Sequence, residues 1–279
     1  MGKIREVVNV VAGNEQKDGA GVRLVRVLGP DTVTAFDPFL MLDAFDSRNP
    51  DDYVRGFPWH PHRGIETVTY LMQGDIEHGD SLGNKGSIVD GCCQWMTAGS
   101  GIIHQEMPQP CPRMLGLQLW INLPAKDKMA KPRYRDLKAA QIPKVEEPSG
   151  TVTVIAGRYG DTAGATEGDY VRTLLLEVNL KPGAAWRMPV DPLSTVFAYT
   201  VEGAGAFGGA ATPVDSRRAL LFGGGDEVAA AAGQSGLRFV LVAGRPLREP
   251  VAWGGPIVMN TQEELDRAFA EIQNGTFIQ

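Results

Sequence analysis

The chain has 279 residues, of which 43% are hydrophobic and 22% are charged, a composition that excludes disordered, collagen-like and long coiled-coil proteins. Its 27 Lys and Arg against 33 Asp and Glu give a net charge of −6, and no dense basic run occurs, so direct binding to nucleic acid is not expected. The sequence shows neither a signal peptide nor a stretch of 18 uncharged apolar residues, which predicts a soluble, cytoplasmic protein with no membrane partner.

Six short segments alternate apolar and polar residues and are bounded by Gly, Pro, Asn or Asp, a pattern typical of half-buried strands. They are residues 67–72, 116–122, 151–157, 172–180, 194–203 and 237–244. Turn signals such as 82–86 and 181–184 lie between them, where Pro fixes φ and Gly permits a positive φ. The sequence therefore predicts an antiparallel, all-β protein.

Two helices are expected. Residues 135–141 predict a short, weak helix, whereas residues 261–275 predict a longer one. In the longer segment Thr261 and Glu264 form a capping box, and Gly275 ends the helix.

The segment 124–150 is rich in charge and Pro, which is typical of a connector between domains. Residues 67–74 and 196–203 share a strand followed by a Gly turn, which favours two copies of one β-barrel unit. We therefore expect an N-terminal domain over 1–135 and a C-terminal domain over 136–279. The three cysteines, Cys92, Cys93 and Cys111, are too few and too clustered for a disulfide framework and are interpreted as reduced thiols.

All four histidines lie in the first half of the chain. His60 and His62 are two residues apart, which places both side chains on one face of a strand. His104 and Glu106 repeat this spacing with an imidazole and a carboxylate. If the two segments are neighbouring strands inside a barrel, three nitrogens and one oxygen converge as ligands for one divalent transition metal.

Each of these histidines could instead be a hydrogen-bonded core residue, but the concentration of His in two short segments favours the metal site. His78 lies in a stretch that is typical of a loop, so we expect it to make a turn or surface hydrogen bond. Glu66 follows His62 by four residues and could be a ligand, a partner that orients an imidazole, or a partner of Arg63. The orienting role is preferred.

Four apolar residues flank the ligand segments and could line a cavity for a flat aromatic substrate, although each could equally be ordinary barrel core. They are Phe57, Trp59, Trp95 and Met107.

Several segments together resemble the pirin family of bicupins, above all HPHRGIETVTYL at 60–71 and TAGSGIIHQE at 97–106. The resemblance covers nearly the whole chain. It departs locally at Gly91-Cys92-Cys93-Gln94, where the family usually has Gly-Asp before Val-Gln-Trp-Met. This departure removes a carboxylate from a turn, but it removes no metal ligand.

The resemblance implies two tandem cupin domains, which are jelly-roll-like antiparallel β-barrels, with a short C-terminal helix. It also implies one mononuclear iron, Fe(II), in the N-terminal barrel, held by His60, His62, His104 and Glu106. The C-terminal barrel is expected to bind no metal, because no His follows residue 104 and Pro189 and Asp191 stand where the repeat would place the first two histidines.

Two functions from different classes follow. The first is a metal-dependent dioxygenase that cleaves a flavonol such as quercetin with O₂, in which Glu106 is also the catalytic base. The second is an iron-dependent, redox-sensing regulator that binds a protein partner without turnover. A metal that only stabilises the fold is the remaining possibility, and the chain is expected to be a monomer.

Overall fold

The computed structural model describes residues 2–278 of the chain. Residue contacts divide the chain into two compact units. The first barrel comprises residues 14–33, 39–139 and 247–279, and the second barrel comprises residues 1–13, 34–38 and 140–246. The units are therefore not the contiguous halves 1–135 and 136–279 expected above, since each end of the chain joins the barrel that is built mainly from the other half.

The first barrel consists of two antiparallel sheets and a separate two-stranded hairpin. Its strands are β2 (Asn14–Asp18), β3 (Val22–Leu28), β4 (Phe39–Ser47), β5 (Phe57–His62), β6 (Ile65–Gln73), β7 (Asp75–Asp80), β8 (Lys85–Val89), β9 (Cys93–Thr97), β10 (Ile102–Pro108), β11 (Met114–Asn122) and β12 (Arg133–Leu137), with β23 (Ala252–Gly254), β24 (Ile257–Met259) and the helix α2 (Gln262–Gln273) from the C-terminal segment. The larger sheet has the order β12-β9-β6-β11-β4-β3-β2, and the smaller has the order β5-β10-β7-β8.

The second barrel is built around one nine-stranded sheet. Its strands are β1 (Val7–Val11), β13 (Lys144–Glu147), β14 (Gly150–Ala156), β17 (Thr173–Leu180), β18 (Ala185–Pro189), β19 (Thr195–Phe207), β20 (Thr212–Asp215), β21 (Ala219–Phe222) and β22 (Glu227–Gly244). A small hairpin pairs β15 (Arg158–Tyr159) with β16 (Thr162–Ala163), and a single helical turn, α1 (Val33–Phe36), precedes β4. The N-terminal strand β1 belongs to this barrel because it pairs with β21.

All six predicted strand segments are confirmed, and the turns at 82–86 and 181–184 connect β7 to β8 and β17 to β18. The C-terminal helix is confirmed, with Thr261 and Glu264 forming the reciprocal capping box. The prediction of a helix over 135–141 is wrong. Residues Arg133–Leu137 form β12, since they pair with β9 along its whole length, and only residues Ala139–Gln141 make a 3-10 turn. Pairing with a neighbouring strand outweighs the weak helical preference of so short a segment.

Three further observations bear on the expectations drawn from the sequence. Cys92, Cys93 and Cys111 are all free thiols. Among residues 2–278, no helix has the length and apolar character needed to cross a membrane. The core of the second barrel is apolar and is centred on aromatic contacts of Phe239 with Trp186 and Phe207.

Candidate metal centre

The two histidine-bearing segments lie side by side in the smaller sheet of the first barrel. Strands β5 and β10 are antiparallel neighbours, and His104 pairs directly with His60. The three imidazole ring centroids lie 4.4 to 5.1 Å apart, and one ligand nitrogen from each of His60, His62 and His104 lies within 4.8 Å of the other two. The structure thus brings together the three histidines that their spacing selected.

A β-bulge in β5 shapes this site. His104 pairs with His60 and Glu106 pairs with Phe57, so three residue steps on β5 face two steps on β10. The extra residue reverses the alternation on β5, so Phe57 faces the same cavity as His60 while Trp59 points outward and is 54% exposed.

Backbone carbonyls orient two of the imidazoles. Nδ1 of His60 lies 2.9 Å from the carbonyl oxygen of Pro58, and Nδ1 of His62 lies 3.0 Å from the carbonyl oxygen of Pro256. A carbonyl can only accept, so each Nδ1 carries the hydrogen and each Nε2 keeps its lone pair. This is the arrangement that fixes histidine side chains as metal ligands.

The surroundings of His104 show whether the site suits a metal. His104 is fully buried, and neither of its ring nitrogens has a hydrogen-bond partner among the described residues. Burying an imidazole in this state is costly, because at least one nitrogen has lost its interaction with water. A cation shared with His60 and His62 would satisfy the lone pair, so the residues present fit a transition metal.

Burial keeps the imidazoles of His62 and His104 neutral. It lowers the pKa of His62 to about 3, helped by the proximity of His60, and it lowers the pKa of His104 well below its usual value, helped by His62 and His60. A neutral imidazole offers the lone pair that a metal needs without first releasing a proton.

Glu106 lies on the same face of β10 as His104 and lines the same cavity as His60 and His62. Its carboxylate is not part of the cluster of three ligand nitrogens. Burial raises the pKa of Glu106, and the Thr69 hydroxyl lies 3.1 Å from its Oε1. The side chain is therefore a buried, hydrogen-bonded carboxylate beside the imidazoles.

The cavity in front of the histidines has a volume of about 540 Å³, which is large enough for a drug-sized ligand. Of the four residues proposed from the sequence, only Phe57 lines it. Trp59 faces outward, and Met107 lies on the opposite face of β10 from Glu106. Trp95 is buried, but it lies on the opposite face of β9 from Gln94, the residue that pairs with Thr69. The apolar wall is formed instead by residues such as Met41, Phe45, Trp120 and Trp253.

Two further predictions differ from the structure. His78 is buried in β7 and not in a loop, because β7 pairs with a strand on each side, and its Nε2 lies 3.2 Å from Oδ1 of Asp136. Glu66 accepts a hydrogen bond of 2.7 Å from Thr97 on the face of β6 opposite Thr69. It therefore points away from the cavity, and backbone carbonyls take the orienting role expected of it.

A row of polar residues that the sequence analysis does not predict crosses the larger sheet. Cross-strand register places Arg26, Asp43, Gln118, Thr69 and Gln94 side by side on β3, β4, β11, β6 and β9. The signal that could have found it is Asp43, a single charged residue inside the apolar run FLMLDAF. A charge in the middle of a buried strand needs a partner, and here the partner is Arg26.

Two barrels, the first of which brings three imidazoles together beside an apolar cavity, define the class of protein, a bicupin. Sequence comparison identifies the family. The Pirin family matches residues 21–121, and the Pirin C-terminal cupin domain matches residues 175–278. The chain belongs to the pirin family.

Relatives extend over almost the full length of the chain. It is 43% identical over 284 residues to a candidate quercetin 2,3-dioxygenase of Pseudomonas aeruginosa, with 99% of each chain covered. It is 40% identical to human Pirin, with 98% of this chain and 94% of the human protein covered. A crystal structure of quercetin 2,3-dioxygenase from Acinetobacter baumannii superimposes with a TM-score of 0.91 at 30% identity and covers 98% of each chain.

Proposed function

We propose that the chain is a metal-dependent dioxygenase that cleaves a flavonol such as quercetin with O₂, so that both oxygen atoms enter the products. The observation that carries the proposal is the cluster of His60, His62 and His104 beside an apolar cavity of about 540 Å³, together with the two ring nitrogens of the buried His104, which have no hydrogen-bond partner within residues 2–278. The names of the Pseudomonas and Acinetobacter relatives support the same substrate class.

The proposed ligands of one Fe(II) are the three histidines and Glu106. When bound, the metal would supply a Lewis acid and an electron route to O₂. The residues of the chain would hold and prepare the substrate. The walls formed by Trp120, Trp253 and Met41 would bind the flat rings and exclude water.

Glu106 is the proposed proton acceptor for the substrate hydroxyl. A carboxylate in a dry site is a stronger base than one in water, and burial raises the pKa of Glu106 in agreement with that role. The contact with Thr69 would hold the accepting carboxylate in place. A base of this kind typically contributes about 10²- to 10⁴-fold to the rate.

Substitution of the two kinds of ligand tests the proposal. Glu106→Gln preserves the shape of the side chain but removes its charge and basicity, so it should lose about 10²- to 10⁴-fold in turnover while it retains most of the metal. His62→Ala should lose metal and turnover together. If Glu106→Gln cleaves quercetin as fast as the wild-type protein, Glu106 is not the base.

A further inference from the structure

The wall of the cavity also carries a charged group that the proposed chemistry does not use. Asp18, Arg26 and Asp43 line the same cavity as His60, His62 and Glu106. Nε and Nη2 of Arg26 donate to the two carboxylate oxygens of Asp43 at 2.9 and 2.7 Å, and Nη2 also donates to Asp18 at 2.7 Å. We refer to these three residues as the Arg26 cluster.

A purely structural role explains the pairing of Arg26 with Asp43 but not the position of Asp18. Asp43 is almost completely buried, and the two-point contact with Arg26 satisfies both of its oxygens. Asp18 differs, since its side chain is 47% exposed. The two N–H groups on Nη1 of Arg26 have no partner within residues 2–278. Oδ2 of Asp18 accepts from Arg26 and Oδ1 accepts from the backbone N–H of Gly19 at 2.7 Å, and each oxygen keeps a second lone pair. Nη1 of Arg26 and the carboxylate of Asp18 therefore have hydrogen-bonding capacity left for a ligand.

The distance from the cluster to the proposed base follows from strand register. Asp43 pairs with Gln118, and Gln118 pairs with Thr69, whose hydroxyl contacts Glu106. Two strand spacings separate Asp43 from Thr69, which is roughly 10 Å. A molecule of two or three fused or linked rings is long enough to contact both Asp43's partner Arg26 and the Glu106 that Thr69 contacts.

The charges of the cluster select the chemistry of the ligand. One guanidinium and two carboxylates leave a net charge of −1, so a carboxylate or phosphate on the ligand would be repelled. A neutral hydroxyl suits the site, because it can donate to Asp18 while it accepts from Nη1 of Arg26.

We propose that Asp18 and Arg26 form a second recognition site of the cavity, which binds a phenolic hydroxyl of the substrate, and that Asp43 positions Arg26. The inference rests on the proposed function, because it assumes a ring ligand anchored at the metal. It makes Asp18 and Arg26 determinants of substrate specificity.

Anaerobic equilibrium binding to the Fe(II)-loaded protein tests the inference without turnover. The probes are quercetin and 3-hydroxyflavone, which share the 3-hydroxy-4-keto edge but differ in their other hydroxyls. We expect the wild-type protein to bind quercetin about 10- to 100-fold more tightly than 3-hydroxyflavone, because only quercetin can form hydrogen bonds to the charged groups of the Arg26 cluster. Asp18→Asn should reduce this preference about tenfold through weaker quercetin binding, with the affinity for 3-hydroxyflavone unchanged.

Two further variants isolate the effect. Glu15→Gln, on the same strand as Asp18 but with a side chain that is 85% exposed and outside the cavity, should change neither affinity. Arg26→Lys keeps the charge but loses the two-point contact with Asp43, and it should reduce the preference for quercetin. A 3-hydroxyflavone carrying a ring carboxylate should bind the wild-type protein less tightly than 3-hydroxyflavone itself, and Asp18→Asn should reduce that difference.

The possible failures are distinguishable. Equal affinities of the wild-type protein for quercetin and 3-hydroxyflavone would overturn this inference alone, as would an equal loss of both affinities in Asp18→Asn. If the wild-type protein binds neither flavonol, the proposed function fails and this inference fails with it.

Discussion

At the residue scale, Thr69 connects the proposed base to the polar row of the larger sheet. Its hydroxyl lies 3.1 Å from Oε1 of Glu106 and 2.6 Å from Oε1 of Gln118. A hydroxyl has one hydrogen, so Thr69 donates to Glu106 when the Gln118 amide is turned so that its nitrogen, in place of Oε1, faces Thr69. Thr69 is then a positioning residue that fixes which carboxylate oxygen faces the substrate.

Replacing Thr69 by Val, which has the same shape, should lower kcat for quercetin about tenfold, because Glu106 loses its only described side-chain donor. The metal content should not change, since the three histidines are untouched. Thr69→Ser keeps the hydroxyl and should stay close to the wild-type kcat. Equal kcat values for the Val and Ser variants would show that the hydroxyl does not position the base.

Lys128 is a second buried residue whose behaviour can be predicted. It is 2% exposed, and its Nζ donates to Asn122 and to the carbonyls of Gly64 and Val258. Burial lowers the pKa of Lys128 from 10.5 to about 7. Between these two values the unfolded chain holds more protons than the folded chain at this residue, so the free energy of unfolding rises with pH.

We therefore expect the wild-type protein to gain stability from pH 7 to pH 10 relative to Lys128→Met, by up to about 1.4 kcal/mol per pH unit. Urea unfolding of both proteins across this range measures the difference. Parallel stability curves for the two proteins would contradict the lowered pKa.

At the element scale, the C-terminal segment is bound to the strand that carries His60 and His62. Arg63 is buried, and it donates to the carbonyls of Ser100 and Phe277 at 2.7 and 3.1 Å. It also forms an ion pair of 2.7 Å with Glu271 on α2, and its guanidinium lies 4.3 Å from the centre of the Phe277 ring. Since His62 precedes Arg63 and contacts Pro256, the segment 247–278 supports the end of β5 at two points.

Phe277→Ala should therefore reduce the free energy of unfolding by roughly 3 kcal/mol, because it removes a buried ring together with its contact to a buried guanidinium. Ile278→Ala is the matched control. Its side chain is 37% exposed, and the loss should stay within about 0.5 kcal/mol. Similar losses in the two variants would mean that the end of the chain is not docked through Phe277.

The elements also show how far sequence reasoning reaches. Alternation predicts the strands of both barrels, and spacing predicts that His60 and His62 share a face, because both properties depend only on the period of a strand. The loop position predicted for His78 is wrong, because Gly and Asp around it indicate a turn while pairing with β8 and β10 keeps the segment extended. Phe57 faces the cavity and Trp59 faces outward because of a bulge, and this bulge is recognisable only from the pairing of β5 with β10.

At the scale of the whole molecule, the candidate metal-binding cluster lies in the first barrel. Within residues 2–278, the three histidines form the only group of three or more His, Cys, Asp or Glu side chains suited to holding an ion. Asp191, which the repeat aligns with His62, is already bonded to Arg245 at 2.7 Å. The exchange of the chain ends between the barrels could not be predicted, because it depends on long-range pairing such as that of β1 with β21.

Elemental analysis of the purified protein should therefore find one equivalent of transition metal per chain. The double variant His60→Ala/His104→Ala should contain none, since one imidazole and one carboxylate cannot hold the ion tightly. His78→Gln, which changes the one histidine outside the cluster, should retain the full equivalent. Two equivalents in the wild-type protein would require a second site in the other barrel.

Oxygen uptake with quercetin tests the central claim most directly. The Fe(II)-loaded wild-type protein should consume O₂ and quercetin in equal amounts, at a rate well above that of the same concentration of free Fe(II), and His62→Ala should fall to that background. If the wild-type protein consumes no quercetin above the free-metal rate, the chain is not a flavonol dioxygenase. The better account is then a regulator whose metal responds to redox state and controls binding to a protein partner.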